Sequence, residues 1–134
     1  MMVRGIRGAT TVAGNESKAI MAATGELLQR LVEANDIQPD DIASVFVTMT
    51  PDLNATFPAR AIRTMPGWEW VPLMCASEIA VPDALPRCIR LMILANTTRS
   101  PREIRHVYLG GARALRPDLA GEKALTPDGF SGKV

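Results

Sequence analysis

The clearest chemical content in the sequence is in CIRLMIL, residues 88–94. Six of these seven residues are apolar, and the seventh, in the middle, is Arg90. Both alternating faces of the stretch are expected to be buried, which makes it a central strand. A lone guanidinium in such a place is costly unless it is paired. One reading is a buried ion pair, with Glu78 the natural partner. The other is an arginine held by its surroundings and aimed at an anionic ligand. Arginine suits a carboxylate because its planar fork donates two parallel hydrogen bonds. Taken alone, this stretch weighs the two readings evenly.

The other candidates are mostly cations. Arg7 stands at the end of a first strand, and Arg116 follows the last one. Arg60 and Arg63 are three apart on a short helix and project from one face. Glu78 and Tyr108 are the polar groups best placed to join them. Each also has a plainer reading. Arg60, Arg63 and Arg116 read alone are solvated surface charges. Arg7 could be a structural ion-pair partner, Glu78 a solvated loop acid, and Tyr108 a core residue with its hydroxyl at the edge. Cys75 and Cys88 read as small buried hydrophobes rather than nucleophiles. His106, the one histidine, reads as a surface or capping residue rather than a base. No Ser-His-Asp or Cys-His spacing stands out. GIRGATT (5–11) lacks the lysine and glycine pattern of a phosphate loop. The chemistry in view is anion recognition without a nucleophile.

The rest of the chain bounds what these residues can serve. Its 134 residues fit one domain, with 47% hydrophobic and 22% charged residues. A chain of this size buries a sizeable core without disulfides or structural metals. The net charge of +1 is no footprint for nucleic acid. Two cysteines without a CxxC pair and a single histidine give too few ligands for a zinc site. No run approaches a membrane span, and the first residues do not read as a signal peptide. The expectation is a soluble, reduced, cytoplasmic protein.

The elements that must position the candidates follow from periodicity. Residues 3–9 read as a first strand, with Gly5 and Gly8 marking a turn or a close backbone approach. Residues 15–36 read as a helix capped by Asn15, with Glu16 at its positive end. Ile20, Ala23, Thr24, Leu27, Leu31 and Ala34 form its apolar face. Strands are expected at 42–50, 68–75, 87–97 and 105–110, and a short helix at 58–65 opened by Pro58 at its first position. The order is β-α-β-α-β-β-β. The two helices can cover one face of a sheet, and the other face would be bare. So apolar a chain implies self-association, with sheets packing across subunits. The Gly/Pro-rich stretch 120–134 is expected to be a flexible tail.

Five blocks taken in order, RGIRGATTV (4–12), TPDLNATFPARAIR (50–63), WEWVPLMC (68–75), CIRLMI (88–93) and IRHVYLGGARALRPDL (104–119), resemble the trimeric, monofunctional chorismate mutases of the pseudo-barrel class. The resemblance covers residues 1–119 as one domain. It implies an α+β fold, with a mixed five-stranded sheet and helices on one face, three subunits forming a pseudo-α/β-barrel, and active sites at the subunit interfaces. It implies rearrangement of chorismate to prephenate without metal or cofactor, on the route to phenylalanine and tyrosine.

The resemblance also assigns roles. Arg90 would bond the ether oxygen of the breaking bond and a substrate carboxylate. Arg7 would bind a carboxylate, with Tyr108 near one. Glu78 would accept the substrate hydroxyl, a contact shared by Cys75. Phe57 would pack on the ring and Leu115 line the pocket, while Arg63 and Arg116 gather the dianion at its mouth. At position 60 some family members carry lysine, so Arg60 keeps the charge with a different donor geometry. Two other readings predict different behaviour. A trimeric imine-hydrolysing deaminase would leave chorismate untouched. A dicarboxylate-binding module would bind chorismate or prephenate without changing either.

Overall fold

A computed structural model describes residues 1–116. The elements run β1 (Met2–Thr11), α1 (Ser17–Asn35), a 3-10 turn (Pro39–Asp41), β2 (Ile42–Met49), α2 (Ala59–Arg63), β3 (Leu73–Ser77), β4 (Cys88–Thr97), β5 (Val107–Tyr108) and a second 3-10 turn (Gly110–Ala114). The expected order of strands and helices is the observed one. The strands form one mixed sheet in the order β3-β2-β4-β1-β5, with β4 in the middle. β4 runs antiparallel to both β1 and β2, while β3 and β5 lie parallel to their neighbours. The stretch 120–134, expected to be a flexible tail, lies outside the described residues.

The core lies between the sheet and the two helices. Ile20, Leu27, Leu28 and Leu31 of α1 and Ile62 of α2 are fully buried against Ile6, Val45, Val47, Ile89 and Ile93 of the strands. Burying one such side chain contributes about 1.5–3 kcal/mol. At Gly8 the helix comes so close that a Cβ would stand 2.8 Å from Leu31 Cδ1 and 3.0 Å from Leu27 Cδ1. Of the two glycines expected to mark a turn or close approach, Gly8 is a close approach inside a continuous strand. Arg7 therefore sits in mid-strand, not at a strand end.

Several boundaries differ from expectation, each for a local reason. Asn15 does not cap α1, whose N-cap is Glu16. The Asn15 side chain instead holds the loop at 51–58. Its amide donates to Asn54 Oδ1 at 2.7 Å, and its Oδ1 accepts from the Asn54 and Ala55 amides at 3.0 Å each. Pro58 is the N-cap of α2 rather than its first helical residue. The third strand begins at Leu73, not Trp68. Before it the chain turns twice, through bonds from Trp68 N to Met65 O and from Val71 N to Trp68 O, and the Trp68 ring is buried in the core. β5 has two residues rather than six. Just before it, Asn35 clamps the chain to α1, donating to Arg105 O at 2.8 Å and accepting from Arg105 N at 2.8 Å.

One face of the sheet is covered by both helices; the other is open over most of its extent and covered only at the Ala9–Cys88–Tyr108 end, where Ala112 of the last 3-10 turn packs on it. Along β4, Ile89, Leu91, Ile93 and Ala95 are buried, while Arg90, Met92, Leu94 and Asn96 are half-buried. The expectation that both faces of CIRLMIL are buried thus fails within one chain, because both helices lie on the same side. Phe46 and Met74, on the face of Arg90, are 40% and 63% exposed. No described helix is long and apolar enough to cross a membrane.

Candidate active site

The bare face carries the first half of the candidate site. Register puts Ala9 of β1 and Thr48 of β2 on either side of Arg90, with Ala9 also opposite Tyr108 of β5. Partners directly opposite in a ladder share a face, so these side chains converge. Thr48 is likewise paired with Ala76, which puts Glu78, two residues further on, on the same side. The Glu78 amide donates to Met49 O at 2.8 Å, extending the β2–β3 ladder and fixing its backbone.

Arg90 and Glu78 are the ion pair that the sequence suggests. Nε of Arg90 lies 3.1 Å from Oε2 of Glu78. That nitrogen is shielded from solvent, and the contact is an ionic approach rather than a well-directed hydrogen bond. The same Oε2 accepts a 2.6 Å hydrogen bond from Thr48 Oγ1. The Arg90 side chain as a whole is 43% exposed, against 16% for Glu78. Its inner nitrogen is therefore held while part of the side chain stays accessible.

Beside Arg90 lies a concavity of about 270 Å³ lined by Arg7, Thr48, Arg90, Tyr108, Leu115 and Arg116, among others. Tyr108 is buried, packed with Ala9, Cys88 and Ala112. The Arg7 guanidinium makes no ion pair among the described residues. Gly110 starts the 3-10 turn that brings Leu115 and Arg116 here. Its φ is +55°, and a Cβ there would lie 2.8 Å from Thr11 Oγ1. Thr11 Oγ1 also accepts the Gly111 amide at 2.9 Å, tying the turn to β1.

Phe57, Arg60 and Cys75 stand apart from this group. They line a second groove, of about 580 Å³, beside the edge strand β3. Cys75 is opposite Val47 on the helix-covered side of the sheet, packed against the core. One chain therefore does not bring Cys75 to Arg90 and Glu78. Phe57 is 71% exposed at the end of the loop that Asn15 holds. Arg60 and Arg63 are both exposed on α2, and Arg60 donates to Thr56 Oγ1 at 3.2 Å.

Three contributors escaped the sequence reading. Thr48 reaches Glu78 only through a register that the chain does not spell out. Asn15 carries a capping residue's signature and does another job. His106 accepts the Arg7 amide on Nδ1 at 2.9 Å. Burial, then the positive charges of Arg7 and Arg116, push the His106 ring below its ordinary 6.5. Cys88, two residues before Arg90 on the same strand, is buried, and that burial pushes its thiol up to about 11, which argues against it as a nucleophile. Among the described residues no group of three or more His, Cys, Asp or Glu could hold a metal ion.

A cation-lined concavity on the open face of an α+β sheet is suited in charge to a small anion. Comparison with known proteins narrows the class. The chorismate mutase type I family profile matches residues 3–119. The chain is 44% identical over 120 residues to the chorismate mutase AroH of Bacillus subtilis, covering 90% of this chain and 94% of that one. It is 50% identical over 119 residues to the AroH of Thermus thermophilus, covering 88% and 97%. A solved chorismate mutase from Clostridium thermocellum superposes with a TM-score of 0.82 at 48% identity, over 84% of this chain and 99% of that one. The chain belongs to the chorismate mutase type I family.

Proposed function

We propose that the protein converts chorismate to prephenate in a homotrimer, at sites built where subunits meet. The observation that carries this reading is the Thr48–Glu78–Arg90 cluster beside Arg7 and Tyr108, in a chain of this family. The reaction is an isomerisation. An ether C–O bond breaks as a C–C bond forms, and the electron pairs shift around one ring. No group enters or leaves, so the chemistry asks for no nucleophile, base or cofactor.

Two tasks remain for the protein. It must hold the substrate in its compact, diaxial shape. It must also stabilise negative charge that builds on the ether oxygen only in the transition state. Arg90 does the second. Glu78 and Thr48 keep its inner nitrogen in place, and a fixed cation responds to developing charge without reorganising. Arg7 binds a carboxylate, with Tyr108 beside it, and Glu78 also accepts the substrate hydroxyl. Leu115 lines the pocket and Arg116 stands at its mouth.

The second groove supports the trimeric part of the reading. Phe57, Arg60 and Cys75 lie too far round the sheet to join Arg90 within one chain, whereas a neighbouring copy docked on the bare face can supply them. Phe57 then packs on the substrate ring, Cys75 shares the hydroxyl contact, and Arg60 and Arg63 draw in the dianion. Exposed Phe46 and Met74 are the kind of apolar surface such docking buries. The pathway is that of phenylalanine and tyrosine. The compartment is taken to be the cytoplasm, where free Cys75 and Cys88 stay reduced.

The test is loss of the ultraviolet diene absorbance of chorismate on adding protein, with phenylpyruvate appearing after acidification. Chorismate bound but unchanged would leave a binding module instead. The shared site has its own test. An Arg90→Lys variant mixed and refolded with an Arg60→Ala/Arg63→Ala variant should recover part of the activity that each lacks alone. No recovery, or a monomer by sedimentation, would mean that each chain carries its own site.

A further inference from the structure

β5 pairs with β1 at only two positions, Gly8↔Val107 and Ala9↔Tyr108. The next β1 amide on that side belongs to Arg7, and the short strand offers it no backbone carbonyl. An imidazole takes that place, with Nδ1 of His106 accepting the amide at 2.9 Å. Only an unprotonated Nδ1 can accept, so the ring must be neutral with its proton on Nε2. Two charged side chains act on the ring, Arg7 from β1 and Arg116 beyond the last 3-10 turn, and both are cations that favour the neutral form. From α1, packed over the same end of β5, the side chain that reaches this segment is the neutral Asn35, through its bonds to Arg105.

The Arg7 guanidinium has no ion-pair partner among the described residues. Its position is set from its root, by where the backbone of β1 holds it. We infer that His106 is a positioning residue for Arg7, fixing the strand at the point from which Arg7 reaches a substrate carboxylate. This rests on the reading of Arg7 as a carboxylate ligand. A carboxylate is present in substrate and transition state alike, so loosening Arg7 weakens both equally. That raises KM and leaves kcat in place.

Because His106 is the only histidine in the sequence, its ring nitrogens give a pair of signals that no other residue confuses. Nitrogen NMR of the wild-type protein at pH 8, without substrate, should show a protonated Nε2 and an unprotonated Nδ1. The kinetic arm compares two variants. His106→Phe removes the acceptor and should raise KM for chorismate about two- to tenfold, the range that one net hydrogen bond converts to. Its kcat should stay within about twofold. His106→Asn carries an oxygen where Nδ1 stood and should restore KM.

A protonated Nδ1, or an unchanged KM in His106→Phe, would overturn the inference. So would equal losses of kcat in both variants, since that is what general damage to the fold produces. The NMR arm needs neither variant nor activity. A wild-type protein that fails to turn over chorismate would therefore sink the functional reading alone, while a protonated Nδ1 would still overturn the role of His106 as acceptor of the Arg7 amide.

Discussion

Thr48 and Arg90 face each other across β2 and β4, and both meet the same oxygen of Glu78, Thr48 Oγ1 at 2.6 Å and Arg90 Nε at 3.1 Å. The threonine has no charge and no reactive group. It turns the glutamate so that one oxygen serves both neighbours. Replacing Thr48 with valine keeps the shape and removes the donor. A hydrogen bond to a charged group is worth about 1.5–3 kcal/mol. Thr48→Val is therefore expected to lower kcat/KM by roughly tenfold or more, with the unfolding midpoint little changed. Steady-state kinetics that match wild type would show that Glu78 needs no such orientation.

Arg90→Lys keeps a positive charge but shortens the reach and loses the planar fork. If Arg90 stabilises the ether oxygen, kcat should fall by about 10²–10³, the usual loss for one fixed donor. Stability should change far less, since Arg90 is partly exposed within the chain. Turnover like wild type would remove Arg90 from the mechanism.

Acid should weaken the fold in two steps. The folded-state pKa of His106 is below its ordinary 6.5, through burial first and then the charges of Arg7 and Arg116. Below about pH 6.5 the unfolded chain takes up a proton that the folded one refuses, so stability falls with pH until the folded value is passed. The Thr50 hydroxyl, with help from the Arg87 amide, holds Asp52 below its ordinary 3.8. Stability that is full above 3.8 should be lost below it. Urea midpoints from pH 8 to pH 3 at one protein concentration would show both steps. His106→Asn should erase the upper one. Midpoints that hold steady or rise between pH 7 and pH 5 would contradict the assignment.

Two glycines should respond in opposite directions. A Cβ at Gly8 would meet Leu31, Leu27 and the carbonyl of Val107 within 3.1 Å. Gly8→Ala is expected to cost about 1–3 kcal/mol by overpacking. Gly25, in the middle of α1, has nothing within 4 Å of its Cβ position. Gly25→Ala should stabilise by about 1 kcal/mol from helix propensity alone. Thermal midpoints of the two variants measured side by side would decide both.

Much of this fold can be read from the residues. The strand and helix order, the single covered face and the Arg90–Glu78 pair all follow from apolar periodicity and from the cost of an unpaired guanidinium. What periodicity misses has a common cause. A tryptophan can be buried by a turn as well as by a strand, so WEWV reads as extended chain when it is a pair of turns around Trp68. Asparagine satisfies backbone amides in many geometries, so Asn15 looks like a cap when it ties a loop. The side of the sheet that a residue faces depends on register, and one step of slip reverses it. Periodicity therefore cannot place Thr48 beside Glu78, nor show that Cys75 faces the helices. β5 is short because the side chains of Asn35 and His106 take over backbone partners there, and such substitutions leave no mark on the hydrophobic pattern.

The bonds from Asn15 to Asn54 and Ala55 do more than tidy a loop. They give the Asn54 and Ala55 amides the partners that a neighbouring strand would give. The conformational entropy of ordering that loop is therefore lost once, when the chain folds, and not again with each arriving ligand. The Phe57 end of the loop is already set when a ligand arrives.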